Sequence, residues 1–234
     1  MKRLLILGSG TAGTIIVNKL HRRLPEDWEI HVVEPSREHL YQPGLLFLPF
    51  GRIDPRNLHR ETEAFLPKGV TRWTGTVQRV VPDGDKVELE DGTVIEYDQL
   101  VIATGTTPRP DQTPGMTGPG WRETIHDFYT YEGALALWEA LRNFEGGRLV
   151  VHVSEMPIKC PVAPLEFAFL ADDHFRELGI RDDVDVVYVT PLSGAFTKPV
   201  ASRRLGDMLS RRRIELETDF YVERIEDGAL WSYD

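Results

Sequence analysis

The chain has 234 residues, 41% hydrophobic and 27% charged, the profile of an ordinary globular protein with room for one large or two modest domains. Its 27 basic and 37 acidic side chains leave a formal charge of -10, which argues against a nucleic-acid surface and against electrostatic attachment to anionic lipid. No apolar run approaches the ~18 residues of a membrane span. The seven histidines lack metal-ligand spacing, so no metal is expected, and one cysteine excludes a disulfide within the chain.

The opening stretch, "KRLLILGSGTAGTIIVNKLHRRL", reads as an apolar strand from Leu4 to Leu7, a glycine turn and an amphipathic helix. Ile15, Ile16, Leu20 and Leu24 recur at helical spacing. Gly8, Gly10 and Gly13 fall on GxGxxG, with Ser9, Thr11 and Ala12 between them. The first glycine permits the tight turn and the second lets backbone approach a pyrophosphate. The third lets the helix pack close to the sheet, with its N-terminus facing the anion. "WEIHVVEP" then supplies a second strand ending at Glu34, 21 positions beyond Gly13. A carboxylate there can accept both ribose hydroxyls of a dinucleotide. The bland alternative is a plain turn followed by a surface charge. A signal peptide at this end would remove part of the motif, so the N-terminus reads as mature and the compartment as cytoplasmic.

Residues 70 to 105 read as a β-meander with Asp-Gly turns at Asp83-Gly84 and Asp91-Gly92. Its last strand, Leu100 to Ala103, runs into Thr104-Gly105. With GxGxxG, the acid and "YDQLVIATGTTPRP" in this order, the chain resembles the FAD domain of the two-dinucleotide-binding-domain flavoproteins. That is the pyridine nucleotide-disulfide oxidoreductase superfamily, which includes disulfide reductases, NADH:quinone reductases and sulfide:quinone oxidoreductases. The resemblance implies an α/β fold, with a Rossmann-like FAD-binding domain and its meander over residues 1–112. A second, incomplete Rossmann-like domain would follow over residues 113–234. It also implies FAD as cofactor, held by Gly8, Ser9, Gly10, Thr11, Ala12, Gly13, Glu34 and Pro35, by backbone near Val77, and by Ala103, Thr104 and Gly105.

The disulfide-reductase branch carries a cysteine pair soon after the acid, and "SREHLYQPGLLFLPFG" has none. "LYQPGL" resembles the sulfide:quinone oxidoreductase group instead, in which this stretch passes the flavin ring. Tyr41, Gln42 and Pro43 are thereby implied flavin neighbours, with an apolar loop tucked into the core as the alternative. NADH-using branches need a second glycine motif after the strand "GRLVVHVS". The following "EMPIKCPVAPLEFAFLADDHFRELG" has no glycine before Gly179, and Pro161 and Pro164 suit a first helical turn. "VDVVYVTP" is the next strand of that unit, but nicotinamide binding is not expected.

Cys160 stands at this helix start beside Lys159, and both features favour the thiolate, the nucleophile that sulfur transfer needs. "KCPVAPLEFAFL" resembles the Cys-x-x-x-x-x-Glu segment of sulfide:quinone oxidoreductases and flavocytochrome sulfide dehydrogenases. The resemblance implies Cys160 as sulfur carrier and Glu166 as a proton-handling group. The alternatives are a small buried hydrophobe and an acid serving the helix dipole. The implied function is oxidation of sulfide or a related sulfur compound, with electrons passing through FAD to quinone. An NADH:quinone oxidoreductase and a non-catalytic nucleotide-binding module are the competing readings. Family members continue further, with a C-terminal return to the FAD domain, a second redox cysteine and helices that dock on the membrane. The chain therefore reads as an N-terminal portion, ending in the first arm of a hairpin after Asp227-Gly228. Membrane contact, on the cytoplasmic face, is expected only through the missing C-terminal region, and homo-oligomerisation is left open.

Overall fold

In the computed structural model, which describes residues 1–233, the chain forms two compact units. One contains Met1–Tyr41 and Arg56–Thr107, the other Gln42–Pro55 and Pro108–Asp234.

The first unit is built on a parallel sheet. Strand β1 (Lys2–Leu7) lies between β2 (Trp28–Val33) and β9 (Gln99–Ile102), with Leu4 opposite Ile30 and Leu7 opposite Ile102. Strand β5 (Thr71–Trp73) completes the order β5-β2-β1-β9. Near-continuous apolar runs mark strands covered on both faces, and the two faces of β1 show how. Leu4 and Ile6 join Val17 of helix α1 (Thr11–Leu20), while Leu5 and Leu7 join Val87, Leu89 and Ile95 of the meander. The meander is β6 (Val77–Val81), β7 (Lys86–Leu89) and β8 (Val94–Glu96), all antiparallel. Two short strands, β3 (Glu38–Leu40) and β4 (His59–Glu61), pair beside the sheet.

The sequence reading needs adjusting here in two places. Ile15 is 49% exposed, because the helix turns Gly13 and Val17 to the sheet, with Ile16 and Leu20 packed beside them. The meander begins at Val77; Thr71–Trp73 instead pairs with His31–Val33 in the parallel sheet, and the Trp73 carbonyl accepts the Glu34 N–H.

The second unit carries another parallel sheet, β10 (Gly147–His152), β11 (Val184–Val189) and β12 (Ile214–Glu217), in that order. Helix α3 (Ala163–Glu177) connects the first pair and α4 (Pro199–Arg211) the second. Helix α2 (Tyr131–Arg142) precedes them, N-capped by Thr130, whose side chain accepts the Gly133 N–H. Leu165, Phe167, Ala171 and Phe175 of α3 share one core with Val186 and Tyr188 of β11 and with Phe50. Residues 42–55 were expected in the first domain. They belong to the second unit because their short 3-10 turns, Gln42–Leu46 and Leu48–Phe50, bury Leu45, Leu48 and Phe50, with Phe50 packed on Phe167. The first compact unit ends at Thr107.

The terminal segment is also corrected: it is a complete hairpin, β13 (Val222–Glu226) and β14 (Ala229–Ser232). Asp227 and Gly228 both take positive φ, 52° and 74°, the two-residue turn that matches strand twist. The unit also holds a buried ion cluster. Asp172, with no solvent exposure, accepts hydrogen bonds from Arg176 (3.0 Å), Arg181 (2.5 Å) and Arg212 (2.8 Å). Arg181 also donates to the carbonyls of Val184, Arg212 and Arg213, so it satisfies two carbonyls just beyond the end of α4. Among the described residues no helix is long and apolar enough to cross a membrane.

Candidate functional site

Strands β1, β2 and β9 run parallel, so the segments following each of them emerge along one carboxyl edge, the edge where such sheets bind ligands. Those segments are the glycine loop after Leu7, Glu34-Pro35 after Val33, and Ala103-Thr104-Gly105 after Ile102. The glycines differ in what they do. A Cβ on Gly8, which has φ +94°, would stand 2.5 Å from the Ala103 carbonyl oxygen. One on Gly13 would stand 2.0 Å from that of Gly8. These two let loop, sheet and α1 close on one another. A Cβ on Gly10 would meet nothing within 4 Å. The open side of Gly10 lies at the start of α1, where no side chain caps the helix and no acid occupies the first turn. Free N–H groups and the positive helix end there suit a pyrophosphate.

Glu34 is held in place before any ligand arrives. Its Oε2 accepts from the Ser9 N–H (2.8 Å) and Ser9 Oγ (3.1 Å), and its Oε1 accepts from the Ser36 N–H (3.0 Å). Arg72 donates to the Ser36 carbonyl at 2.6 Å, and His39 Nδ1 lies 3.0 Å from the Ser9 carbonyl. A carboxylate offers about four lone-pair positions. Three are used, which leaves Oε1 able to accept one ribose hydroxyl directly, where the sequence suggested both. We expect Glu34→Ala to weaken FAD binding by that charge-assisted bond, roughly 1.5–3 kcal/mol. Titration of flavin fluorescence measures it, and unchanged affinity would place the ribose elsewhere.

Val77 opens β6 with its side chain in the meander core, so only its backbone is left for a cofactor. Tyr41 is exposed and closes one segment of the first unit, whereas Gln42 and Pro43 open the inserted segment of the second.

In the second unit, Cys160 is exposed, which removes the buried-hydrophobe alternative. It does not stand in the first helical turn. Helix α3 starts at Ala163 with Val162 as cap, and Cys160 occupies the preceding turn with φ 51°. A left-handed backbone costs a residue with a Cβ roughly 1–2 kcal/mol. Its carbonyl accepts the Ala163 N–H at 3.0 Å and the Tyr129 hydroxyl at 3.3 Å, and one such bond contributes about 0.5–1.5 kcal/mol net. Glu166 is exposed on the first turn of α3, its N–H bonded to the Val162 carbonyl.

Two tyrosines join this cluster that the sequence reading passed over. Burial pushes the Tyr129 phenol well above the ordinary tyrosine range, and negative charge on Cys160, Tyr188 or Glu166 would act the same way. Tyr188, on β11, is pushed up to about 12 by burial, against the effect of its hydrogen bond with Thr190. His152, the last residue of β10, is pushed down to about 4 by burial and is neutral near pH 7. Among the described residues, no group of three or more His, Cys, Asp and Glu side chains could hold a metal ion.

The family model for pyridine nucleotide-disulphide oxidoreductases matches residues 2–152. The chain belongs to this family. Its members are FAD-dependent oxidoreductases, and the open Gly10 cradle, the uncapped α1 terminus and the preset Glu34 fit that cofactor. The chain is 27% identical over 213 residues to the mitochondrial sulfide:quinone oxidoreductase of Dictyostelium discoideum. That match covers 91% of this chain and 47% of the relative. It is 26% identical to the sulfide-quinone reductase of Aquifex aeolicus, over 98% of this chain and 53% of the relative. The crystal structure of the sulfide:quinone oxidoreductase from Aquifex aeolicus superposes with a TM-score of 0.82 at 22% identity. It covers 98% of this chain and 54% of that one. The likeness establishes the Rossmann-like α/β fold of both units. The chain spans about half the length of the curated relatives it matches.

Proposed function

We propose that this family member is of the sulfide:quinone oxidoreductase type, with Cys160 carrying the substrate sulfur and quinone as the final electron acceptor. The observation that carries the reading is the exposed thiol in the loop between β10 and α3. In a nicotinamide-binding unit that loop would hold glycines; residues 153–162 contain none, which disfavours the NADH:quinone alternative. Sulfide, polysulfide or a small thiol would each suit the site, since all offer sulfur to an accessible cysteine.

The residues divide the work by chemistry. Gly10 and the start of α1 would hold the pyrophosphate of FAD, and Glu34 its ribose, with Ala103 to Gly105 lining the same edge. FAD, when bound, supplies the two-electron acceptor. Cys160 holds the sulfur, and its unhindered turn admits a small substrate. Glu166 is the exposed carboxylate of the cluster and serves as proton acceptor. Tyr129 and Tyr188 stay protonated through the working range, so neither competes for that proton.

Cys160→Ser should retain FAD and lose sulfide-dependent bleaching of the flavin absorption, by at least about a hundredfold in rate as expected for a lost nucleophile. Bleaching by NADH and not by sulfide would return the chain to the NADH:quinone reading. Failure of the FAD-loaded protein to respond to either reductant would favour a non-catalytic nucleotide-binding module.

A further inference from the structure

We propose that Tyr129 is a positioning residue for Cys160, its hydroxyl holding the turn that presents the thiol. The functional side of this proposal rests on the sulfur-carrier role given to Cys160; the structural side does not.

Cys160 is an exposed non-glycine residue at φ 51°. Such a conformation persists only where the surroundings hold it. Its carbonyl is gripped from two directions. One grip, from the Ala163 N–H, is local and moves with the turn. The other comes from Tyr129, 31 positions earlier in the chain.

Tyr129 can serve as a fixed post because it is itself anchored. Its N–H donates to Asp127 Oδ1 at 2.9 Å, and Asp127 pairs with Arg122 at 2.8 Å. The adjacent Phe128 stacks on Tyr129 at 4.8 Å and on Phe167 of α3 at 4.7 Å, nearly parallel. Loop and helix are thus tied together by rings, and loop and turn by the hydroxyl. Packing explains the ring of Tyr129; it does not explain a phenol oxygen, which a phenylalanine would omit. Burial keeps that phenol protonated around neutral pH, so it remains a donor there. Without the hydroxyl only the local bond is left, and the turn can relax toward the right-handed or extended backbone that cysteine prefers. The thiol would then point elsewhere for much of the time.

The test compares the folded wild-type chain with Tyr129→Phe by hydrogen exchange and mass spectrometry. Peptides spanning residues 157–165 should exchange at least about fivefold faster in the variant, while peptides from β11 and α4 keep their rates. Unchanged exchange over 157–165 would overturn the proposal. Faster exchange everywhere would overturn it too, since that is general loosening. A second arm uses the FAD-loaded protein and sulfide. At saturating sulfide, flavin reduction should slow about tenfold in Tyr129→Phe, with the half-saturating concentration unmoved; a rise in that concentration alone would assign Tyr129 to substrate binding and overturn the positioning role. If wild-type protein shows no reduction by sulfide, the sulfur-carrier reading fails, and the exchange arm still decides whether Tyr129 holds the turn.

Discussion

Replacing Asp172 with alanine should destabilise the second unit by about 3–5 kcal/mol, the cost of stranding a buried charge by removing its partner. Asp172 is completely buried and Arg181 is 7% exposed, so the guanidinium left behind would have neither its carboxylate nor water. Arg176 and Arg212 are more open and would recover hydration. Chemical denaturation followed by circular dichroism measures the loss, and a cost below about 1 kcal/mol, the scale of a surface pair, would contradict the argument. Acid should probe the same cluster. Burial alone would raise the Asp172 ionisation, but hydrogen bonds from Arg176, Arg181 and Arg212 more than offset it and leave it below the ordinary carboxylate range. A depressed folded-state value means stabilisation that is fully present above the unfolded value of ~3.9. It is lost as pH falls through the folded value. Wild-type stability should therefore fall off below about pH 4 through this residue, and Asp172→Asn should lack that component.

Gly13→Ala and Gly10→Ala should fail in opposite ways. At Gly13 the new methyl would overlap the backbone oxygen of Gly8, and only a shift of α1 or of the loop relieves it. Overpacking of that kind costs typically ~1–3 kcal/mol, and the displaced helix start would no longer present its N–H groups. Loss of both thermal stability and FAD is expected. At Gly10 φ is -66° and the space beyond is open, so alanine fits the free protein with a change within about 0.5 kcal/mol. The methyl would nevertheless occupy the approach of the pyrophosphate, and FAD affinity should drop at least about tenfold. Melting curves without flavin and flavin titrations separate the two effects. Wild-type affinity in Gly10→Ala would mean that the dinucleotide does not cross this loop.

Much of the first unit was legible because its signals are local. The runs of β1 and β2 are apolar without alternation, as strands covered on both faces must be, and the glycines and Glu34 follow at fixed offsets. The misreadings share a cause in long-range pairing. Thr71–Trp73 is too short to show a period, and its place beside β2 is decided by a strand some forty positions away. "LYQPGLLFLPFG" announces burial but nothing about which core receives it; only Phe167 and α2 decide that. In "ADDHFRELGIRDD" the charges look like a solvated helix face, and Asp172 is the one that the fold turns inward. Tyr129 carries no spacing relation to Cys160, so its hydroxyl could be found only in three dimensions. The closing hairpin was within reach: Asp227-Gly228 is a strong short hairpin signal, but in sequence the strand after it reads as a first arm and not as the return of Val222–Glu226.

The interrupted segment Gln42–Pro55 also has a consequence for how the protein is made. It leaves the ribosome early, yet the residues that receive it come late: Arg52 meets Glu177, 125 positions further on. At about 5–20 residues per second the nascent segment waits on the order of ten seconds with Leu45, Leu48 and Phe50 uncovered. The first unit resumes at Arg56, so it must fold around a tethered apolar loop that it cannot bury itself. Cutting the gene at the junction after Thr107 would leave that loop without the residues that cover it.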